Sequence, residues 1–279
     1  MSLRGRYIID KIKATTAKHF RLPCPPYGDP GYWDAAYASL GPEDTYEWGD
    51  VSLNDLVNST YRRVEWDPHR GTSHTSKELK QSTSFADLFG MTRNGGENEA
   101  IVVLGCGNSR LGEQIVKHGD WRGPVIQVDV SGRVIESMSQ RYGIAELIAQ
   151  GKMSFVQDDA TELSAFRDAS VDLCLDKGLI DAIHCADDDE CQLEKILRSV
   201  GRILKPGAVF GFLSFSRPEF LLPKLMKNEV TGVRRKLWID MQVNELDTIL
   251  MYRMRKATDS CQHKQLRHRA RVRSNKFRK

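Results

Sequence analysis

A glycine-rich turn and an acidic residue about twenty positions later are the residues of this chain best suited to bind a nucleoside. Residues 104–109 read LGCGNS and directly follow a short apolar run, and Asp129 ends the next apolar run. Glycines, which have no Cβ, let the backbone turn sharply and approach a ligand closely. A carboxylate at the end of the second strand of a doubly wound sheet accepts hydrogen bonds from the ribose hydroxyls of an adenosine cofactor. Gly105, Gly107 and Asp129 therefore predict an adenosine-binding site.

The spacing after the glycines favours S-adenosylmethionine over a dinucleotide. A dinucleotide site prefers a third glycine after two intervening residues, where it opens the helix beneath the pyrophosphate. Arg110 occupies that position, and the next glycine is Gly112. S-adenosylmethionine has no pyrophosphate to hold, so the departure favours it. Asp158, Asp159 and Ala160 follow the third apolar run, where a carboxylate would bind the adenine amino group; a solvated turn is the open alternative.

These residues need a scaffold that brings strand ends together, and the chain from residue 100 onward predicts one. Short apolar runs alternate with segments of helical period, which is the pattern of a parallel sheet with helices on both faces. Two further strand candidates, 237–243 and 248–254, form a terminal hairpin with its turn predicted at Asn244 and Glu245. The sequence therefore predicts an α/β fold with a mostly parallel sheet. Its strands are 101–104, 124–129, 153–156, 171–175 and 208–213, and its helices 111–118, 131–142 and 191–204.

The first hundred residues lack this alternation. An aromatic segment around Trp33 and Tyr37 is followed by a predicted helix over 53–64. Residues from about 65 to 83 are mostly polar and without periodicity, which predicts a surface loop, and a second polar break extends this insertion to about 98. We therefore expect an N-terminal extension (1–31), a main domain (32–256, with the insertion at about 65–98) and a basic, disordered tail (257–279).

Charge and cysteine content bear on partners and compartment. From Arg253 onward there are 11 Lys and Arg and 1 acidic residue, whereas the other 252 residues carry 30 basic and 36 acidic groups. The tail is suited to contact RNA or an acidic partner, with a merely solvated end as the open alternative. The 6 cysteines form no CxxC pair, which argues against a zinc or disulfide framework and predicts a reducing compartment, the cytoplasm. No apolar run is long enough to span a bilayer, so we expect no membrane contact; the basic N-terminus keeps a mitochondrial presequence as the alternative.

Several short motifs follow one another along the chain: YWD (32–34) with Tyr37, EW (47–48), VLGCGNS (103–109), VDVS (128–131), LDKG (175–178) with Asp181 and Ala182, VGRIL (200–204) and PG (206–207). Taken in order, they resemble methyltransferase-like proteins related to the enzymes that methylate lysines of eukaryotic translation elongation factor 1-alpha. The resemblance covers roughly residues 32–256, apart from the insertion, and the GCGNS and DKG segments are its most specific parts. It implies a Rossmann-like class I fold, with a mostly parallel seven-stranded sheet that ends in an antiparallel hairpin. It also implies S-adenosylmethionine-dependent methylation of a protein lysine, with elongation factor 1-alpha as a candidate substrate.

The resemblance also assigns residues to a binding site. Three aromatic residues would belong to an N-terminal segment folded over the cofactor: Trp33, Tyr37 and Trp48. Gly105 would line the methionine end, whereas the ribose and adenine would contact Asp129, Val130, Asp159 and Ala160. Lys177 would lie beside the cofactor after the fourth strand. Aromatic faces attract a sulfonium cation and exclude water; plain core packing of the aromatics and a surface ion pair for Lys177 are the open alternatives.

The acceptor is less well defined than the cofactor. Methyl transfer from a sulfonium needs no nucleophile from the protein, and desolvation helps a lysine acceptor lose its proton. No catalytic residue and no metal site are therefore predicted. Asp176 and Asp181 would either orient an acceptor amine or cap the following helix. Gly49 stands where the relatives often have an aromatic residue, and residues 179–180 read Leu-Ile instead of Thr-Leu, so the expected acceptor channel departs from the family.

Other functions stay open beside protein-lysine methylation. A nucleic-acid or small-molecule methyltransferase is favoured by the basic tail. The Asn/Asp-Pro-Pro-aromatic motif of many base-amine methylases is absent after the fourth strand, where residues 176–178 read DKG. The altered lid permits a non-catalytic S-adenosylmethionine-binding protein, and an NAD-linked oxidoreductase is the least favoured class.

Overall fold

The computed structural model describes residues 25–67, 69–81, 84–89, 91, 96–117, 121–186, 189–226, 237–246 and 249–258. Most of the expected N-terminal extension and all but the first two residues of the expected basic tail lie outside these residues. The fold is built on one nine-stranded sheet with strand order β2-β1-β8-β9-β7-β6-β3-β4-β5. In chain order the strands are β1 (Thr60–Asp67), β2 (Thr72–Gln81), β3 (Ile101–Leu104), β4 (Val125–Asp129), β5 (Met153–Gln157), β6 (Val171–Lys177), β7 (Leu204–Ser214), β8 (Trp238–Leu246) and β9 (Ile249–Lys256).

Helices flank this sheet and precede it. In the described residues they are α1 (Pro30–Tyr37), α2 (Leu53–Asn58), α3 (Phe85–Phe89), α4 (Leu111–Lys117), α5 (Gly132–Ser139), α6 (Ile144–Ala149), α7 (Leu179–Ile183), α8 (Asp189–Ile203) and α9 (Pro218–Met226), with a 3-10 turn at Trp48–Asp50. None of these described helices has the length and apolar character required to cross a membrane.

The five strands β5, β4, β3, β6 and β7 run parallel. Next to them, β9 pairs with β7 in antiparallel orientation, and β8 pairs with β9 in antiparallel orientation. Side chains of β3 alternate between the two faces of the sheet because successive residues of a strand point in opposite directions. Val102 and Leu104 pack into one hydrophobic core, and Ile101 and Val103 into the other. Burial on both faces explains why the strand reads as a continuous apolar run. The predicted α/β fold with its terminal hairpin is confirmed.

The insertion differs from the prediction. Instead of a surface loop, β1 and β2 form an antiparallel hairpin that pairs with β8 and extends the expected seven strands to nine. The helix predicted over 53–64 ends at Asn58, because the chain then pairs with β8 through Arg62, Arg63 and Val64. Sheet pairing, which the local pattern does not report, decides the conformation of this segment.

The turn of the terminal hairpin also differs from the prediction. Asn244 and Glu245 lie inside β8, opposite Met251 and Leu250 of β9. Leu246 pairs with Ile249, the first residue of β9, and residues 247–248 lie outside the described ranges. The strands are consequently longer than the apolar pattern predicts.

Candidate functional site

The glycine turn and the strand-end carboxylate are in direct contact. Gly105 and Gly107 adopt positive φ angles of 53° and 49°, which few residues other than glycine tolerate. The amide of Gly107 donates to Asp129 Oδ2 at 2.9 Å, and the amide of Ser131 donates to Oδ1 at 3.0 Å. Burial raises the pKa of Asp129, while these backbone donors oppose the rise. A carboxylate has about four lone-pair sites, so Asp129 retains acceptor capacity for a ligand.

A cavity of about 330 Å³ opens at the carboxyl ends of β3, β4, β5 and β6. Ligands of open α/β sheets bind at this edge, where the strand order reverses around the first parallel strand. All ten predicted site residues line the cavity: Trp33, Tyr37, Trp48, Gly105, Gly107, Asp129, Val130, Asp159, Ala160 and Lys177. Their contact with a bound cofactor stays a prediction. The lining also includes residues that sequence reasoning did not select, among them Tyr27, Tyr46, Asn108, Thr161, Gln192 and Lys195.

Residues 27–48, which we call the lid, cover the cavity and contribute five aromatic side chains to its lining. Trp33 stacks between Tyr27 and Tyr37, with ring centroids 5.7 Å and 5.9 Å apart and interplanar angles of 28° and 26°. The indole Nε1 of Trp33 donates to the Tyr27 carbonyl at 2.7 Å. A Cβ on Gly107 would lie 2.8 Å from the Tyr37 hydroxyl, so the lid and the glycine turn fit together only because residue 107 has no side chain.

Trp48 is fixed at the end of the lid. Its Nε1 donates to Asp181 Oδ2 at 2.9 Å, and Asp181 also accepts from the backbone amide of Phe215 at 3.2 Å and from the hydroxyl of Ser214. The ring lies directly against Gly178, where a Cβ would come within 2.5 Å of Trp48 Cγ. Asp181 therefore positions the lid tryptophan in this structure, a role that the sequence did not indicate.

The second acidic residue of this region caps a helix. Asp176 accepts from the amides of Leu179 at 2.7 Å and Ile180 at 3.0 Å, at the start of α7. Burial raises the pKa of Asp176 to about 7, with nearby Asp181 raising it further and these amides opposing the rise. Of the two alternatives left open by the sequence, capping matches the contacts of Asp176.

Lys177 contacts Glu47 of the lid in a mostly buried ion pair. The side chains are 4% and 21% exposed, and Lys177 Nζ also donates to the Val51 carbonyl at 3.0 Å. Burial lowers the pKa of Lys177, while the Glu47 carboxylate opposes this. Glu47 further accepts from Ser109 Oγ and from the Arg110 amide, both at 2.7 Å. The lysine is therefore no surface residue, and its carboxylate partner joins the lid to the glycine turn.

Arg141, to which no sequence motif points, is a buried residue that contacts the lid and the glycine turn. Its guanidinium has no exposed side-chain area and pairs with Glu113 Oε1 at 2.7 Å. It also donates to the carbonyls of Pro42 at 2.7 Å, Asp44 at 3.2 Å and Asn108 at 3.0 Å. The first two carbonyls belong to the lid and the third to the glycine turn, so a single side chain links both.

Two further departures from the family have a structural context. Gly49 adopts a φ of 75°, and a Cβ there would lie 3.1 Å from the ring of Phe215 and 3.1 Å from Ile249 Cδ1. The ring of Phe215 therefore covers the position where relatives often carry an aromatic residue. Leu179 lies against Gly105, where a Cβ would approach Leu179 Cβ to 2.9 Å, which makes this substitution part of the cavity wall.

The loop after β5 holds its shape through its own carboxylates. Asp158 accepts from the amides of Asp159 at 2.8 Å and Ala165 at 2.9 Å, and Asp159 Oδ1 accepts from the Thr161 amide at 2.7 Å. Residues 158–161 form part of the wall of the cavity. The structure thus brings the predicted adenine-binding residues to the cavity as a preformed loop.

A family model described as a methyltransferase domain matches residues 96–259, which is more than half of the chain. The chain belongs to this methyltransferase domain family. S-adenosylmethionine is the methyl donor of the family, and the prediction of an S-adenosylmethionine-dependent methyltransferase domain is confirmed. The match begins after the lid, so the lid contacts described above lie outside it.

The domain is similar to curated lysine methyltransferases. It is 35% identical over 144 residues to the mouse eEF1A lysine and N-terminal methyltransferase, covering 50% of this chain and 19% of that protein. It is 26% identical to the bovine EEF1A lysine methyltransferase 4, covering 70% of this chain and 64% of that protein. A zebrafish mitochondrial citrate synthase-lysine N-methyltransferase is 26% identical, with 71% and 84% covered. The chain spans about a fifth of the length of the first of these relatives.

A solved structure is similar to this chain at low sequence identity. An S-adenosylmethionine-dependent methyltransferase from Methanosarcina mazei has a TM-score of 0.41 and 17% sequence identity, and the alignment covers 60% of this chain and 96% of that chain.

Proposed function

We propose that this chain is an S-adenosylmethionine-dependent protein-lysine N-methyltransferase that acts on a translation factor-like protein. The observation that carries the proposal is that the buried Asp129 carboxylate, the glycine turn and the lid all line the same cavity. The names of the similar curated proteins, which include lysine methyltransferases of eEF1A and of citrate synthase, support a protein lysine as the acceptor.

The residues present fit the methyl donor. Asp129 would accept hydrogen bonds from the ribose hydroxyls through its remaining lone pairs, and the loop at 158–161 would contact the adenine. Gly105 and Lys177 would border the methionine end, where the lid excludes water. The bound donor supplies an electrophilic methyl group. The protein's contribution is to hold the acceptor nitrogen in line with the sulfur–methyl bond and to exclude water. Desolvation beneath the lid lowers the pKa of a lysine acceptor and favours its neutral, nucleophilic form.

The test uses the full chain with methyl-labelled S-adenosylmethionine and three acceptors: elongation factor 1-alpha, citrate synthase and a cell extract. We expect label in protein and methyllysine after acid hydrolysis. Asp129→Ala should abolish both labelling and the binding of S-adenosylhomocysteine measured by calorimetry. Asp168→Ala is the matched control, because that carboxylate is 77% exposed on the surface. Label that survives protease and is lost on nuclease treatment would contradict the proposal.

The basic tail favours nucleic-acid methylation as the second candidate. Its residues lie outside the described ranges, except for Ala257 and Thr258. The amide of Ala257 donates to the Leu237 carbonyl at 2.9 Å and its side chain is buried, so a truncation should begin after Thr258. We propose that this truncation leaves donor affinity unchanged. Tail-dependent, nuclease-sensitive labelling would establish the second candidate, and donor binding without any labelling would indicate a non-catalytic binding protein.

A further inference from the structure

Three lid residues form an aromatic corner, a name we use for Tyr27, Tyr46 and Trp48. The ring of Tyr27 lies 6.5 Å from that of Trp48 at an interplanar angle of 89°, and the ring of Tyr46 lies 6.3 Å from it at 84°. The rings of Tyr27 and Tyr46 therefore both stand nearly perpendicular to the ring of Trp48. All three rings line the cavity. This arrangement presents aromatic surface to the cavity from more than one direction.

Two rings of the aromatic corner, those of Trp48 and Tyr27, are buried and held by neighbouring residues. Trp48 is 5% exposed and its ring is held between the Asp181 hydrogen bond and Gly178. Tyr27 is 3% exposed and stacks on Trp33. Rings that are already fixed bind a ligand without a further loss of side-chain entropy.

The charges around the cavity favour a cation. Asp129, Asp158 and Asp159 line it, against Lys177 and Lys195, and the Glu47 carboxylate contacts the first of these lysines. Burial raises the pKa of Tyr46, so its phenol stays neutral at physiological pH. The tyrosine thus offers the negative face of a neutral ring, not a base, and this face attracts ammonium groups.

We propose that the aromatic corner of Tyr27, Tyr46 and Trp48 binds the ammonium group of the acceptor side chain, and binds it more tightly once it carries methyl groups. The inference rests on the proposed function, because it assumes an amine acceptor. Methylated ammonium keeps its charge and spreads it over an apolar surface, which suits a cage of rings. Before each transfer the ammonium loses a proton to water, and the neutral amine then forms the nitrogen–carbon bond as the sulfur–carbon bond of the donor breaks. The product is again a cation, and after a third transfer it has no proton left to lose. A corner that retains the methylated product favours repeated transfer, so we expect dimethyllysine or trimethyllysine.

The test measures cation binding without turnover. The full chain is saturated with S-adenosylhomocysteine and titrated with choline and with 3,3-dimethylbutan-1-ol, its neutral isostere, while tryptophan fluorescence or calorimetry reports binding. Cation–π attraction in a desolvated site predicts that choline binds about five- to thirty-fold more tightly than the isostere. Tyr46→Leu should bring this ratio close to one, and Tyr46→Phe, which keeps the ring, should preserve it. Tyr142→Leu is the matched control, because that ring is 91% exposed.

The outcomes separate this proposal from the proposed function. Equal affinities for choline and its isostere in the unmodified chain would overturn the corner even if lysine methylation is observed. A choline preference that disappears when S-adenosylhomocysteine is bound would also overturn it, because the donor sulfur would then occupy the corner. A choline preference that depends on Tyr46 would support the corner even if the acceptor protein proves different from those tested. The unmodified chain alone decides the first two outcomes, so they do not depend on the folding of a variant.

Discussion

Replacing Arg141 by methionine should loosen the lid and destabilise the whole domain. The guanidinium has four acceptors, one of which is the Glu113 carboxylate and three of which are backbone carbonyls. Breaking a buried ion pair by removing one partner costs about 3–5 kcal/mol, and a buried carbonyl left without a donor costs at least about 1 kcal/mol. Glu113 keeps its contact with Arg110, which limits the total. We therefore expect the free energy of unfolding to fall by about 3–5 kcal/mol.

The assay is thermal unfolding with and without S-adenosylhomocysteine. A loss of this size lowers the melting temperature by about 6–20 °C for a domain of this length. Donor affinity should fall as well, because Arg141 joins the lid carbonyls to Asn108 of the glycine turn. Arg141→Lys keeps the charge but not the planar set of guanidinium donors. Its melting temperature should therefore lie between those of the wild type and Arg141→Met. The matched control is Arg133→Met at an exposed position of α5. A melting temperature within about 2 °C of the wild type for Arg141→Met would refute the reasoning.

Three further perturbations test the site and its supports. Gly107→Ala should weaken S-adenosylhomocysteine binding, measured by calorimetry, by about tenfold, because the new Cβ would lie 2.8 Å from the Tyr37 hydroxyl. The control is Gly143→Ala, where φ is also positive but no atom lies near the new Cβ, and it should bind normally. Gly49→Tyr should lower the free energy of unfolding by about 2 kcal/mol in denaturant titrations, because the backbone is left-handed and a Cβ would lie 3.1 Å from an aromatic ring; an unchanged midpoint would contradict the packing. Burial raises the folded-state pKa of Asp176 to about 7, whereas an unfolded aspartate titrates near about 4. Between these values only the folded chain holds the proton, so stability should fall as pH rises from about 4 to about 7, and Asp176→Asn should flatten that slope; a slope that persists in the variant would assign it to another group.

The sequence predicts those parts of the site that depend on consecutive elements of the chain. Gly107 and Asp129 meet because a turn after one strand and the end of the next strand necessarily lie at the same edge of a parallel sheet. That relation depends on spacing along the chain, and the structure reproduces it with a 2.9 Å hydrogen bond. The DKG turn is local in the same way, since Asp176 caps the helix that begins three residues later.

The parts that escape prediction depend on contacts between distant segments. Glu47 and Lys177 are 130 residues apart, and neither has a neighbour whose type reveals the partner. Arg141 falls in the helix predicted over 131–142 with no motif around it, and only its contacts in the folded chain show that it is buried. Residues 60–64 of β1 fall in the helix predicted over 53–64, whereas pairing with β8 determines their conformation. Tertiary pairing overrides local preference in all of these cases.

The hairpin of β1 and β2 lies at one edge of the sheet. Its loop can change in length with little effect on the cavity. Three strands, β8, β9 and β7, separate the hairpin from β6 and the cavity wall. Residues 69–71 at its tip are exposed, and a loop that lengthens there adds little closure entropy. An extra epitope or fluorescent reporter inserted at this tip should therefore leave the parallel strands in register.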